Sequence, residues 1–360
     1  MDWYGCARSY APLLIKRPLG YYFYITGRCN LSCDYCWQRE EAGRKSESTK
    51  TRKHELSTEE WVKIVKSVPK FSFIGLTGGE PLLHPGFNQI VQNISLLNPF
   101  TVNTNGILLT DEIIENLIDC KVSNVSISID GFSDVHDVSR KKVGLFNTIV
   151  ERIKRLNELK EKKRVKRSSL TIKTVLLDPL VEKLDEFYRF CDEKLKADCL
   201  NISIMKTTQH VQFDFRVYEE LSDVVSVGEP SCDKYDQIET IPEVLSKLLE
   251  DSQKRRCKVQ LYPRMYNSSS IDYLFQKKGK NIFEPCYLPW NMNVILADGS
   301  IIPCLSIKIG NIRHQDYDVK QISRLKKYQE FLGWRLTMNR AKNSPSVCNM
   351  CCFSIVQRKP

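Results

Sequence analysis

No stretch of this chain approaches the ~20 consecutive apolar residues that a membrane helix needs. Its longest apolar stretches, such as 124–129 and 170–177, are far shorter. The opening, MDWYGCARSYAPLLIKRPLG, lacks the basic-then-apolar order of a secretory signal. A cytoplasmic protein with no membrane partner is therefore expected. Internal repeats and low-complexity segments are also missing. The net charge is +11, from 54 Lys and Arg against 43 Asp and Glu, yet no nucleic-acid-binding motif accompanies it. Nucleic acid is not an expected partner. Part of the charge sits in one run, Lys160-Glu-Lys-Lys-Arg-Val-Lys-Arg167. That run reads first as a solvated helix end. Its functional alternative is a surface for an acidic peptide or a phosphate.

What the chain does contain is 14 cysteines in 360 residues. A reducing compartment keeps thiols reduced, so these read as metal ligands or small core residues, not disulfides. Their spacing separates two clusters. Cys29, Cys33 and Cys36 lie within eight residues; Cys348, Cys351 and Cys352 form a second group, with Cys286 and Cys304 upstream. Cys6, Cys120, Cys191, Cys199, Cys232 and Cys257 are scattered and read as filler.

Strand-like and helix-like patterns alternate through the first two-thirds. Strands are expected over 21–26, 71–77, 100–103, 124–129, 170–177 and 200–205. Helices are expected from the Ser57-Thr-Glu-Glu60 cap to about residue 68, then over 87–97, 111–118, 145–159 and 181–195. Regular alternation implies a parallel sheet, and six units are too few for a closed eight-unit barrel. The fold class is thus α/β, a partial TIM-like (β/α)6 barrel. After a less regular stretch over 207–242, a helix is expected over 241–254 and a strand over 259–262. A hairpin follows, with strands 293–296 and 300–303 about an Asp298-Gly299 turn, and then a final helix over 319–332.

The motifs sit where strands end. The loop Cys29-Asn-Leu-Ser-Cys33-Asp-Tyr-Cys36 leaves the first strand. Three thiolates can hold three irons of a cubane and leave the fourth open for chemistry. The competing reading is half of a zinc site, pairing Cys33-x-x-Cys36 with Cys348-x-x-Cys351, which leaves Cys29 unexplained. Thr77-Gly78-Gly79-Glu80-Pro81 ends the second strand; paired glycines admit a close ligand, and the Glu can accept from an ammonium group. Asn103-Thr104-Asn105-Gly106 and Ser126 to Asp130-Gly131 end the third and fourth. Four polar strand ends on one face suggest a binding site.

With these residues in view, the chain resembles the radical S-adenosylmethionine (SAM) superfamily over about residues 20–206. The resemblance implies a [4Fe–4S] cluster on Cys29, Cys33 and Cys36, with SAM on its open iron. It implies that Thr77, Gly78, Gly79 and Glu80 surround the methionine amino group, with Asn105 nearby; Asp130 is close in sequence, its side chain facing either the site or away from it. Ser128 and Arg140 would hold the carboxylate and ribose, and Trp37 would flank the adenine or simply pack. The family's chemistry cleaves SAM with one electron to a 5′-deoxyadenosyl radical that takes a hydrogen atom from the substrate. An electron donor such as flavodoxin or ferredoxin is implied.

The second cysteine set is similar to the SPASM and twitch extensions: Cys286-x(12)-Gly299-x(4)-Cys304, then Cys348-x-x-Cys351. It implies a second, auxiliary [4Fe–4S] cluster, with Cys352 as an alternative to Cys351 and zinc as the competing metal. Few cysteines follow, which matches the twitch form, and the ligand spacing resembles the aminocyclitol dehydrogenase type of butirosin biosynthesis. Leu305 stands where sulfatase-maturing relatives carry an Asp, which speaks against that activity. Only about twenty residues precede the first strand, which weakens a peptide-modifying reading.

The expected organisation is an N-terminal segment (1–19), the partial barrel (20–206), a connecting region (207–280) and the auxiliary-cluster domain (281–360). The expected function is net oxidation or bond formation on a small metabolite or a peptide side chain. Tyr262, Arg264 and Tyr266 follow the last strand-like segment and are candidates to face substrate, with Arg264 the candidate proton acceptor or anchor and a plain surface arginine the competing reading. The alternative is a non-catalytic iron–sulfur or zinc scaffold or electron carrier. Methyl or adenosyl transfer lacks a motif for a second SAM or a cobalamin.

Overall fold

The computed structural model describes residues 18–36, 54–165, 167–205, 235, 238–262, 265, 267–276, 288–304 and 307–337. Ten strands form one sheet in the order β10-β9-β8-β1-β2-β3-β4-β5-β6-β7. The barrel strands are β1 (Gly20–Tyr24), β2 (Phe73–Thr77), β3 (Phe100–Thr104), β4 (Asn124–Ser128), β5 (Ser169–Leu176), β6 (Cys199–Ile204) and β7 (Lys258–Tyr262). Each pairs with the next in parallel. All seven carboxyl ends therefore open on one rim.

Alternate strand residues explain the layering. Phe23, Leu76, Val102, Ile127, Ile172 and Ile202 are fully buried beneath the helices. The residues between them, including Thr101, Asn103, Ser126 and Thr171, turn to the other, concave face, because side chains on a strand alternate with period two.

Most helices lie where apolar periodicity places them. Helix α1 (Thr58–Ser67) starts on a complete capping box between Ser57 and Glu60. Helix α3 (Asp111–Asp119) is capped by Thr110, and α5 (Leu145–Lys162) follows Gly144, whose φ is +76°. Three expected helices differ. Helix α2 (Phe87–Gln92) stops before 97, where Asn98 turns its amide to the Pro69 and Ser72 carbonyls and Pro99 follows. The expected 181–195 helix breaks into α6 (Asp178–Val181), α7 (Leu184–Arg189) and a π turn (Phe190–Lys194); Pro179 suits a first helical turn and starts it early. The expected 319–332 helix is a 3-10 helix (Val319–Arg324) and then α11 (Lys326–Thr337), parted at Leu325, whose ψ is 127°. Helix α4 (Ser133–Ser139) has no counterpart in the pattern analysis. The remaining helices are α8 (Ile241–Gln253), α9 (Ser268–Gln276) and α10 (Leu288–Asn291).

The hairpin is not a separate layer. Its first strand, β8 (Met292–Ile295), pairs in parallel with β1, in the register Gly20↔Met292 to Phe23↔Ile295. Strand β9 (Ser300–Ile302) returns antiparallel to β8, turning at Gly299 (φ +85°), and β10 (Gly310–Asn311) pairs with β9. Arg313 binds Glu60 of α1 at 2.9 Å, and Tyr317 donates to the same carboxylate at 2.8 Å. These contacts clamp the C-terminal unit to the helix that covers β1. No described helix is long and apolar enough to cross a membrane.

Candidate active site

The loop after β1 is held at its root. Ile25 N–H donates to the Thr77 carbonyl at 2.9 Å. The Glu55 carboxylate receives Gly27 N–H at 2.7 Å and the Thr26 hydroxyl at 3.0 Å. The buried Trp61 indole donates to the Ile25 carbonyl at 3.2 Å. Beyond this root the chain turns, with Cys36 N–H on the Cys33 carbonyl at 3.2 Å. Cys33 is buried, Cys36 half-buried and Cys29 exposed, and none of the eight described cysteines is in a disulfide.

The turn after β2 interlocks with that loop backbone to backbone. Gly79 N–H donates to the Thr26 carbonyl at 2.8 Å and Glu80 N–H to the Arg28 carbonyl at 2.7 Å. Only glycine fits there. A Cβ on Gly78, whose φ is +143°, would stand 2.3 Å from the Thr26 oxygen, and one on Gly79 2.3 Å from the Arg28 oxygen. The Glu80 side chain is fully buried. It receives the Thr104 hydroxyl at 2.7 Å, Leu82 N–H at 3.1 Å and Asn105 N–H at 2.7 Å. A carboxylate offers about four acceptor sites, so roughly one remains. Burial nevertheless pushes the Glu80 carboxyl up to about 7. Asn105 also donates to Asn30 at 2.7 Å, tying the end of β3 to the cysteine loop.

A third element comes from the end of β4. Asp130 is fully buried, and Arg140, the last residue of the α4 turn, donates Nε to its Oδ2 at 2.8 Å. Val175 N–H of β5 takes the other oxygen at 3.0 Å, and the Tyr35 hydroxyl also donates to the carboxylate. Burial alone would raise the Asp130 carboxyl, but Arg140, then His136, outweigh it and hold it below the usual range. His136 Nδ1 accepts Asp130 N–H at 3.0 Å, and burial keeps this imidazole neutral, its pKa pushed down to about 4. Arg140 Nη1 lies 4.0 Å from Cys33 Sγ, a buried cation beside a thiol. Burial pushes that thiol up and Arg140 pulls it back. Asp34 N–H donates to the Ser139 carbonyl at 3.0 Å. Helix α4 thus fixes the cysteine loop from its far side.

The structure brings together Thr77, Gly78, Gly79, Glu80 and Asn105 against the Cys29 loop, and Asp130 and Arg140 against Cys33. Asp130 faces this assembly, with both oxygens bonded to protein groups. Ser128 is half-buried at the last position of β4, and its hydroxyl has no partner among the described residues. Trp37, Arg264, Cys286, Cys348 and Cys351 lie outside the described residues, as do Tyr266, Leu305 and Cys352. Cys304 follows β9, half-buried, in an isolated bridge to Ile307.

Several contributors, His136 among them, escaped the sequence. Tyr35, Asn30 and Glu55 act through partners far along the chain, and Lys173 sits inside an apolar strand pattern. For Tyr35 a signal existed, its place between two cysteines.

The donor set fits an iron–sulfur cubane. Three soft thiols on one short loop suit iron, each thiolate taking a different metal atom.

Comparison with known proteins agrees with this arrangement. The model of the radical SAM superfamily matches residues 23–191, and that of an iron–sulfur cluster-binding domain, SPASM, matches residues 286–352. The sporulation killing factor maturation protein SkfB of Bacillus subtilis is 34% identical over 144 residues, 39% of this chain and 33% of that protein. The chain thus matches about a third of SkfB's length. A probable GTP 3′,8-cyclase of Methanococcus maripaludis is 29% identical over 220 residues, 60% of this chain and 67% of its own. Among solved structures, Streptococcus suis SuiB bound to the precursor peptide SuiA superposes with TM-score 0.62 at 16% identity, covering 94% of this chain and 70% of that one. Native anSMEcpe with bound AdoMet and the Cp18Cys peptide gives TM-score 0.59 at 18% identity, covering 94% and 88%. Both show the shared fold. BtrN in complex with AdoMet and 2-DOIA reaches TM-score 0.42, too distant in shape to bear on this chain.

Proposed function

We propose, for a chain that belongs over residues 23–191 to the radical SAM superfamily and carries an SPASM domain behind it, that it is a maturase-type radical SAM enzyme acting on a peptide side chain. Cys29, Cys33 and Cys36 would hold a [4Fe–4S] cluster, and the Gly78-Gly79-Glu80 turn would receive the amino group of SAM. The bound cluster and SAM supply reductive cleavage of SAM and the 5′-deoxyadenosyl group that removes a hydrogen atom from the substrate. This chain's own residues do the positioning. Glu80 offers its remaining acceptor site to an ammonium, and Ser128, at the end of β4 two strands away, presents a hydroxyl with no partner among the described residues. The Arg140–Asp130 pair holds the loop that carries the thiols and keeps a positive charge against Cys33. Cys286, Cys304, Cys348 and Cys351 would hold an auxiliary [4Fe–4S] cluster, able to accept the electron that net oxidation leaves on a substrate. A flavodoxin or ferredoxin would deliver the first electron.

The observation that carries this reading is the interlock of the cysteine loop with the Gly78-Gly79-Glu80 turn through Gly79 N–H and Glu80 N–H. It makes the two motifs one site. The names of SkfB and of SuiB in complex with SuiA support a peptide over a small metabolite. The test is anaerobic reconstitution, then dithionite with SAM. Release of 5′-deoxyadenosine is the expected result. Intact clusters without that product would favour an electron-transfer scaffold instead.

A further inference from the structure

Over β3, β4 and the start of β5 the concave face of the sheet is polar and bonded within itself. Asn124 on β4 sits at its floor, donating to Thr101 of β3 at 3.0 Å and to Ser126 at 2.8 Å. It accepts from Ser169 and Thr171 of β5, each at 2.9 Å. Toward the rim the balance changes. Lys173 pairs in register with Ser128, the last residue of β4. Its side chain crosses β4 to donate from Nζ to Asn103 Oδ1 of β3 at 2.7 Å. Two strand spacings of about 4.8 Å separate β3 from β5, so the lysine lies extended over the sheet instead of snorkelling out of it. Asn103 is its one hydrogen-bond partner among the described residues, and no described carboxylate pairs with it.

That is an unusual place for a lysine. A half-buried ammonium normally has a counter-ion, and an uncompensated one shifts its pKa. Burial pushes the Lys173 amine down to about 8, and the titratable group that opposes this is the Cys199 thiol on β6. Asp130, the carboxylate at the neighbouring strand end, is already committed to Arg140, Tyr35 and Val175. The described residues therefore supply a positive charge, a neutral amide to aim it and a hydroxyl at Ser128 without a partner among them, but no negative charge.

We infer that Lys173, held across β4 by Asn103, is an anchor for an anionic group of the substrate, a carboxylate or a phosphoryl group, inside the barrel. The assignment rests on the radical SAM reading for what the barrel encloses. The charge site itself does not. An acidic side chain or a chain-terminal carboxylate on a peptide meets the requirement, as does a phosphorylated one. Lys173 would fix the substrate's depth in the barrel, which decides which hydrogen atom is presented.

The test uses the reconstituted full chain under anaerobic conditions. Lysines are trace-labelled with acetic anhydride near pH 8, and the extent at Lys173 is read by peptide mass spectrometry. Inorganic phosphate, acetate, neutral acetamide and SAM are added in separate arms. At an anion concentration about twice its dissociation constant, labelling should slow roughly threefold. Protection by acetate at least equal to that by phosphate assigns a carboxylate. Stronger protection by phosphate assigns a phosphoryl group. Acetamide protecting equally, or neither anion protecting, overturns the inference. So does a Lys173 that never labels, because a site open to substrate is open to a two-carbon reagent. If SAM protects and the anions then add nothing, the ammonium serves the cofactor and the substrate assignment falls. The same samples are assayed for 5′-deoxyadenosine. Its release without anion protection removes only this inference, while protection without its release removes the radical SAM reading.

Discussion

Arg140 and Asp130 form an ion pair sealed from solvent, Nε to Oδ2 at 2.8 Å, with the aspartate side chain 0% and the arginine 8% exposed. The pair joins the helix after β4 to the loop that carries the cysteines, since Tyr35 and Cys33 lie against it. Breaking it from one side leaves a buried charge without its partner, which typically costs 3–5 kcal/mol, or about that here. Asp130→Ala should therefore unfold at markedly lower denaturant than the parent. Replacing both residues with apolar ones of similar size should recover much of the loss. A double variant as unstable as the two single losses added together would contradict the account.

The same pair sets an acid limit. The Asp130 carboxyl titrates in the fold below its unfolded value of about 3.9. Its contribution is thus present above pH ~4 and lost as pH falls through the lower folded value. Acid unfolding of the parent should show this loss, and Asp130→Asn should lack it.

Glu80 works in the opposite sense. Its folded pKa of about 7 exceeds the usual 4.5, so the fold binds the proton more tightly than the unfolded chain does. Stability from this group is full below pH ~4.5 and drains away as pH rises to ~7. At about 1.36 kcal/mol per pH unit the loss is roughly 3 kcal/mol. In cluster-free protein, chemical denaturation between pH 4.5 and 7.5 should show the decline. Glu80→Gln, lower in absolute stability because its amide faces the Asn105 N–H, should show a flatter profile.

Gly79→Ala places a methyl 2.3 Å from the Arg28 carbonyl oxygen. Overpacking of this kind costs about 1–3 kcal/mol, here concentrated in the turn that joins the two motifs. Iron content after reconstitution should stay near that of the parent while 5′-deoxyadenosine formation falls steeply. Unchanged turnover would mean that the interlock does not shape the SAM site.

The two cysteine sets should separate in an iron count. Two [4Fe–4S] clusters bring about eight irons per chain. Joint replacement of Cys29, Cys33 and Cys36 by Ala should leave about four irons and no 5′-deoxyadenosine. Joint replacement of Cys286, Cys304, Cys348 and Cys351 should also leave about four, with 5′-deoxyadenosine still formed but no modified substrate. Zinc in the second variant set's parent protein would point to the competing metal.

Much of the fold follows from period alone. Strand positions β1 to β6 and the capping box at Ser57 are local matters, because alternation and caps are written in adjacent residues. Helix α4 was missed because Ser133–Ser139 is short and carries few apolar residues, yet it bears His136 and leads into Arg140. The expected helix over 181–195 fails for a local reason too, since a helical apolar pattern does not reveal a π turn.

By itself the sequence determined the parallel order of the barrel strands, the cysteine loop at the end of β1 and the glycine turn at the end of β2. Each depends on residues a few positions apart, where backbone propensity and spacing suffice. Tertiary structure alone decided that β8 docks on β1, that Glu80 has most of its acceptor sites filled, that Asp130 braces the site through Arg140, and that Lys173 lies without a counter-charge among the described residues. Those outcomes depend on which distant groups share a desolvated space, and the cost of burying a charge is set by neighbours that chain order does not name.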